Sequence, residues 1–104
     1  MTDQTDTATP PPADYAARLN RALRSESVAF QTYALMYAAA FAGGTITKAR
    51  LSIVTGTSYQ IVNHQIARTR FFDSDDSGPL VTVSLNEDGR AKLDRINAKL
   101  ARNY

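Results

Sequence analysis

The stretch that decides the fold is residues 45–68, TITKARLSIVTGTSYQIVNHQIAR. Thr47 is placed to begin a short helix, and Gly56 supplies the permissive backbone of a tight turn after it. The next residues, 57–60, match a capping box in which the glutamine reaches back to the N–H of the cap residue. The stretch therefore predicts two helices joined by a tight turn, the second of them spanning residues 58–68.

Apolar residues give each of these helices an inward face. Leu51 and Val54 are expected to anchor the first helix to a core. Either Ile61 or Val62, followed by Ile66 at i, i+4 spacing, is expected to anchor the second. The polar side chains of the second helix are then left on its outer face.

A β-ribbon is predicted directly after the second helix. Residues 71–73 start an aromatic first arm, residues 74–79 form the loop, and residues 80–85 alternate apolar and polar side chains. Asn86 is placed to cap a last helix, 87–103, whose acids lie early and bases late, in accordance with the helix dipole. Helix, turn, helix and ribbon in this order predict a winged helix-turn-helix, mainly α with a small β-wing (α+β).

Two further helices are predicted before this unit. Asp14 is a candidate N-cap for the first, residues 15–24, and a second helix covers residues 28–42. Aromatic side chains recur along the second helix at spacings of three and four, which is more typical of a buried face than of a ligand site. This aromatic stripe, expected to be buried either in the core of the domain or against a second copy, comprises Phe30, Tyr33, Tyr37 and Phe41.

Length and composition limit the classes of function. The 104 residues accommodate one domain, 14–104, after a Thr-, Asp-, Gln- and Pro-rich tail, 1–13, that is predicted to be disordered. The absence of cysteine excludes a disulfide frame and thiol catalysis, and His64, the one histidine, has no motif partner for hydrolysis. We therefore expect no enzyme, no metal and no cofactor. Without a signal segment or membrane-spanning run, we expect a cytoplasmic, nucleoid-associated protein with no membrane partner.

The charge distribution is more informative than the formal net charge of +2. Residues 27–72 contain no Asp or Glu, which suits a surface that faces phosphates. The alternative is that much of this segment is apolar core with few charges of either sign. The basic residues inside it are Lys48, Arg50, Arg68 and Arg70.

Double-stranded DNA is the expected partner of the second helix of the turn. In the major groove an Asn or Gln side chain can hydrogen-bond both the acceptor and the donor of adenine, and an Arg or Lys side chain can donate to the two acceptors of guanine. On this interpretation Tyr59, Gln60, Asn63 and His64 are base-reading candidates. The basic residues and Ser58 are phosphate contacts, aided by the N-terminal helix dipole. The alternative is an ordinary solvated helix face, with Gln60 consumed by its cap. The full candidate set is Lys48, Arg50, Ser58, Tyr59, Gln60, Asn63, His64, Arg68 and Arg70.

Residues 30–96, about two thirds of the chain, resemble the winged-helix core of MarR-type transcriptional regulators. The matching patterns are I-T-x-x-x-L at 46–51, T-G-x-S at 55–58, and V-x-L-x-x-x-G-R-x-x-L at 83–93, of which the last is the most specific. The resemblance implies a homodimer that places one recognition helix in each half-site of an inverted repeat. It also implies dimerisation through the terminal helices, 15–24 and 91–104.

Three features depart from the family pattern. The chain is short for the family, and Thr69 stands where an aliphatic residue is usual. The wing loop, 73–79, is acidic and lacks the arginine that usually enters the minor groove, so it either stays out of DNA or contacts a protein. These features also fit the small, divergent winged helices encoded by phages and plasmids.

The leading functional prediction is a sequence-specific regulator, most simply a dimeric repressor that occludes a promoter. One alternative is a protein-interaction module, an adaptor or inhibitor that uses the acidic wing and the aromatic helix. Another is an accessory DNA binder for replication, transfer or packaging. A small-molecule effector is compatible with the pattern, although no residue requires one.

Overall fold

The computed structural model describes residues 14–102, which form five helices and a three-stranded antiparallel sheet. The predicted tail, 1–13, and the predicted helix end at 103 lie outside the described residues. The predicted α+β winged helix-turn-helix is confirmed. In chain order the elements are α1 (Tyr15–Ser25), α2 (Phe30–Phe41), β1 (Ile46–Thr47), α3 (Lys48–Thr55), α4 (Tyr59–Arg68), β2 (Phe72–Asp75), β3 (Thr82–Leu85) and α5 (Glu87–Arg102).

The sheet has the strand order β1-β3-β2, so that β3 is its central strand. Ile46 of β1 pairs with Val83, and Phe72 of β2 pairs with Leu85. Strand β1 was not predicted, because two extended residues are too few to show an alternating pattern. It nevertheless joins the start of the helix-turn-helix to the wing.

The arms of the wing differ from their predicted bounds. Strand β2 begins one residue later than predicted and continues to Asp75, which pairs with Thr82. Leu80, predicted to start the second arm, is exposed and lies in the loop. Val81 also precedes β3, and its carbonyl oxygen accepts the N–H of Lys48 at 3.1 Å. The first arm therefore extends further into the predicted loop, and the second arm starts two residues later than predicted.

One hydrophobic core lies between the helices and the wing. The alternation of β3 buries Val83 and Leu85, and Val62 with Ile66 anchors α4 as one of the two predicted options. Ile61, the other option, is 39% exposed. The largest fully buried side chains come from five elements and are Leu35, Met36, Leu51, Val62, Val83 and Ile96.

Most of the aromatic stripe of α2 faces solvent, so the prediction that it packs into the core of the domain is wrong for three of its four residues, and burial against a second copy stays a prediction. Phe30, Tyr37 and Phe41 are 60%, 52% and 84% exposed, whereas Tyr33 is buried. The helix is apolar over most of its circumference, so hydrophobicity does not decide which side packs inward. The side of α2 that is buried carries smaller side chains, and these allow the neighbouring helices and strands to pack closely against it. That side carries Thr32, Leu35, Met36 and Ala39.

The last turn of α3 also differs from prediction. Leu51 is fully buried as predicted, whereas Val54 is 50% exposed although it was expected to be an inward anchor. Helix α3 has only eight residues, and Leu51 is the single one that reaches the core. Val54 lies instead beside the exposed side of α2, where it lines the same groove as Tyr37 and Phe41.

Helices α1 and α5 are joined at Glu26, the residue that follows α1. Its carboxylate, only 9% exposed, receives Lys99 at 2.6 Å, Arg95 at 3.0 Å and Lys92 at 3.3 Å, all from α5. These hydrogen bonds, that of Lys99 first, lower the pKa of Glu26 from 4.5 to about 2. At the other end of α1, Asp14 is the N-cap residue as predicted, but its carboxylate bonds Arg18 at 3.0 Å and no helix N–H.

Asn86 holds the base of the wing to the start of α5. Its Oδ1 accepts the N–H of Gly89 at 2.9 Å, which confirms the predicted cap. Its backbone N–H donates to the carbonyl oxygen of Phe71 at 3.0 Å, and its Nδ2 donates to that of Arg70 at 2.7 Å. One side chain therefore fixes both the helix and the ribbon that leads to it.

Candidate nucleic-acid interface

The turn between α3 and α4 is fixed by local hydrogen bonds. Gly56 adopts the left-handed conformation, with a φ of 65°, as the predicted turn requires. Ser52 donates its hydroxyl to the carbonyl oxygen of Thr57 at 2.5 Å, and Ser58 accepts the N–H of Ile61 at 3.2 Å. The N-cap of α4 is therefore Ser58, and the predicted capping box that starts one residue earlier is wrong. A consequence is that Gln60 is not consumed by a cap.

The outer face of α4 is polar and carries no acid. Tyr59, Gln60, Asn63 and His64 are exposed, while the opposite side of the helix is buried through Val62 and Ile66. Because residues 27–72 contain no Asp or Glu, no carboxylate of α4 or of its neighbour α3 opposes an anionic ligand. This face can donate and accept hydrogen bonds toward a negatively charged polymer.

A polar cleft of about 490 Å³ lies between α4, the start of α3 and β2 of the wing. Lys48 extends into it and donates from Nζ to Oδ1 of Asn63 at 2.5 Å. Phe72 closes the cleft on the wing side. Three of the four base-reading candidates thus share one cleft with one basic residue: the lining includes Lys48, Gln60, Asn63, His64 and Ser74.

The remaining candidates lie outside this cleft. Arg68 and Arg70 are exposed at the end of α4 and before β2. Arg50 is exposed at the other side of α3, where it lines the groove beside α2. Ser58 is exposed but uses its hydroxyl as the cap of α4, and Tyr59 is 45% exposed beside it. A contact of any of these residues with DNA stays a prediction.

Gln65, which is not among the predicted site residues, positions the candidate reading helix. Its Oε1 accepts the hydroxyl of Thr32 in α2 at 2.7 Å, and its Nε2 donates to Oε1 of Gln31 at 3.5 Å. Thr32 is the buried polar residue of the core, and burial of a hydroxyl requires such a partner. A polar residue inside the apolar run 28–42 was the available signal for this contact.

The wing loop presents negative charge beside this polar face. Asp73, Asp75 and Asp76 are all exposed. Hydrogen bonds from the hydroxyl and backbone N–H of Ser77 hold the pKa of Asp75 below its ordinary value. The tip of the wing therefore repels phosphates.

A second surface is apolar and lies between α2 and α3. A groove of about 950 Å³ is lined by Tyr37, Phe41, Ile46 and Val54. The rings along α2 form a ladder, with Tyr37 and Phe41 stacked at 6.5 Å between centroids and 10° between planes. A smaller cavity beside it joins Tyr15 of α1 to the same ladder. The apolar side chains of the groove suit an apolar partner, and Arg50 stands at its edge as the charged residue of the lining.

Residues 14–102 hold neither a cluster of metal ligands nor a membrane-spanning helix. In that range no three His, Asp or Glu side chains come close enough to hold a metal ion. The helices of the same range are each too short or too polar to span a bilayer.

The architecture matches several solved structures. YusO from Bacillus subtilis superposes with a TM-score of 0.74 at 9% identity, over 86% of this chain and 67% of that one. AbsC, a MarR family transcriptional regulator from Streptomyces coelicolor, gives 0.72 at 16% identity, over 86% and 68%. A MarR family transcriptional regulator from Rhodococcus sp. RHA1 gives 0.72 at 13% identity, over 85% and 66%.

The predicted resemblance to MarR-type regulators is thus confirmed at the level of the fold: the chain has a MarR-like winged helix. It spans about two thirds of the length of the structures it matches. No protein-family model matches the sequence, and no curated protein matches it.

Proposed function

We propose that this protein is a sequence-specific regulator of transcription that binds double-stranded DNA with α4 in the major groove. The observation that carries the proposal is the acid-free polar face of α4, with Gln60, Asn63 and His64 exposed beside Lys48. Helix α4 has ten residues, and with its side chains it is about 10–12 Å across, a diameter that the major groove, about 12 Å wide, admits.

Phosphate contacts would orient the helix in the groove. Arg68 ends α4, Arg70 precedes β2, and Arg50 lies on the other side of α3; all three side chains are exposed. Exposed basic side chains around a reading helix bind phosphates and supply affinity without sequence preference. The acidic wing would stay off the backbone, so sequence preference would come from α4.

A homodimer is part of the proposal, because an inverted repeat needs two reading helices related by a two-fold axis. We assign the contact to the aromatic side of α2 together with the outer faces of α1 and α5. At their observed exposures Phe30, Tyr37 and Phe41 offer roughly 400 Å² per copy, about half of the ~800 Å² that each partner of a standard interface contributes. Helix α1 borders this ladder through Tyr15, so an interface on the terminal helices is continuous with it.

Repression by occupancy is the simplest output of such a protein. A dimer bound across a promoter would block the polymerase without catalysing a reaction. The proposed location is the nucleoid, in the cytoplasm. The matching structures include three that are named as transcriptional regulators, and another, NadR, was solved with 4-hydroxyphenylacetate. An effector of this chain, if it has one, would be sought in the apolar groove beside Phe41.

The test is a selection of bound duplexes from a random pool at near-physiological salt. An inverted repeat with half-sites about one helical turn apart is the expected product. The double variant Gln60→Ala/Asn63→Ala should lose the enriched sequence, whereas Leu80→Ala, which shortens an exposed side chain of the wing loop, should retain it. Binding to all duplexes alike would instead indicate an accessory DNA binder.

The exposed aromatic ladder of α2 favours one second candidate, a protein-interaction module. Such a module would bind a partner through Phe41 and the acidic wing and would show no specific DNA binding. Salt separates the two functions, because DNA binding weakens steeply as counterions are added. Failure to recover any duplex at low salt would favour the interaction module.

A further inference from the structure

The side chain of Asn63 does not face DNA alone, because Lys48 holds its amide oxygen at 2.5 Å. We infer that Lys48 and Asn63 act as one donor-only reading unit that selects guanine in the operator. The inference rests on the proposed function and specifies the base class that this site binds. It reverses the simple expectation that an asparagine on a reading helix selects adenine.

The direction of the hydrogen bond follows from the chemistry of the two groups. An ammonium group has three donors and no acceptor, so the amide atom that faces Lys48 has to be Oδ1. The Nδ2 group of Asn63 then remains as the outward part of the amide, and it can only donate. Lys48 keeps further N–H donors beside it.

This arrangement opposes adenine. An asparagine reads adenine by donating from Nδ2 to N7 and accepting the N6 amino group on Oδ1. In the cleft the ammonium of Lys48 already bonds Oδ1, so one of the two lone pairs of that oxygen is taken and a cation lies beside the other. Adenine would bring its own amino donor against that cation, whereas the major-groove edge of guanine offers two acceptors, N7 and O6.

The surroundings strengthen this preference. Within residues 14–102 Lys48 forms no ion pair, and the cleft is otherwise lined by the neutral groups of Gln60, Ser74 and Phe72 beside His64. The pair therefore keeps a net positive charge, which is attracted to the electronegative edge of guanine. Gln60 forms no side-chain hydrogen bond to other described residues, so it keeps both its donor and its acceptor for adenine.

The experiment repeats the duplex selection with four forms of the full chain: wild type, Asn63→Ala, Lys48→Met and Arg50→Met. The base pair that Asn63 reads is identified as the operator position at which the wild type prefers one base and Asn63→Ala does not. At that position the wild type should enrich guanine, and Lys48→Met should shift the preference toward adenine by about tenfold in relative affinity. Lys48→Met keeps the length of the stem, and Arg50→Met removes a cation on the other side of α3 as the matched control.

The outcomes separate the inference from the proposed function. No enriched sequence with the wild type contradicts the proposed function itself. The inference is overturned if the wild type enriches adenine, cytosine or thymine at the base pair that Asn63 reads. It is also overturned if the Lys48→Met variant still prefers guanine at that base pair. Arg50→Met should weaken all duplexes alike, and thermal melting of each variant should verify that it is folded.

Discussion

The backbone of Gly89 lies directly against the carbonyl oxygen of Phe71, in the first turn of α5. A Cβ at position 89 would overlap that oxygen and would come within 2.7 Å of Cδ2 of Leu85. The same carbonyl oxygen accepts the N–H of Asn86, so the close packing at Gly89 sets the position of the wing relative to the start of α5. The glycine of the closing sequence pattern is therefore a packing requirement.

Replacement of Gly89 by alanine should destabilise the protein. Alanine favours a helix by about 1 kcal/mol over glycine, but overpacking typically costs 1–3 kcal/mol, and the backbone carbonyl of Phe71 cannot move aside as a flexible side chain could. Urea unfolding measures the result. Gly78→Ala is the control, because a Cβ there meets no atom within 4 Å. A more stable Gly89→Ala protein would contradict the close packing.

The stability of the core should depend on the inward side of α2 and not on its aromatic ladder. Leu35→Ala removes a fully buried side chain and should cost about 2–5 kcal/mol. Tyr37→Ala should change the unfolding free energy of the monomer by no more than about 1 kcal/mol. The comparison requires chemical unfolding at a concentration where the protein is monomeric. Equal losses in both variants would show that the ladder is core.

The proposed dimer should depend on Phe41, the most exposed aromatic residue of the ladder. Phe41→Glu places a charge in that apolar contact, and light scattering after size-exclusion chromatography should give the monomer mass. Leu80→Glu, a matched change at the exposed wing loop, should leave the dimer intact. A Phe41→Glu protein that remains dimeric would move the interface away from α2.

Stability should fall in acid as Glu26 is protonated. Its pKa is lowered from 4.5 to about 2, so its contribution is fully present above pH 4.5 and is lost as the pH falls toward 2. Glu26→Gln should flatten this part of the stability curve and cost about 1–2 kcal/mol at pH 7, since three basic side chains lose their partner. Urea midpoints between pH 2 and 7 measure both effects, and an unaltered slope would exclude Glu26 as the cause.

The acidic wing should weaken DNA binding. Asp73→Asn combined with Asp76→Asn removes two exposed charges and should raise affinity for specific and random duplexes by similar factors. Binding titrations at several salt concentrations measure this effect. A change restricted to one sequence would instead indicate that the wing touches bases.

Local signals accounted for most of the fold. The left-handed Gly56, the cap at Asn86 and the alternation at Val83 and Leu85 each depend on residues close in sequence, and all were predicted. The orientation of α2 was not, because its residues are apolar on every side and only the rest of the fold determines which side is buried. Strand β1 was missed because it exists only through pairing with β3.

The candidate site was predicted as a set of residue types but not as a geometry. The exposed polar residues of α4 follow from helical periodicity. The pairing of Lys48 with Asn63 joins residues on separate helices, and the bond from Thr32 to Gln65 joins residues 33 positions apart. Such distant contacts depend on how α2, α3 and α4 cross, which no short sequence pattern specifies.

Strand β1 has a consequence for how the protein could be controlled. Ile46 pairs with Val83, and the first N–H of α3 is bonded to Val81, so a strand pair and a backbone hydrogen bond tie the start of α3 to the wing. In the proposed dimer, bending between α3 and the wing would have to break these bonds. A signal that releases the proposed operator would therefore act more simply on the separation or angle between the two copies, so that both copies of α4 no longer match the turns of the duplex.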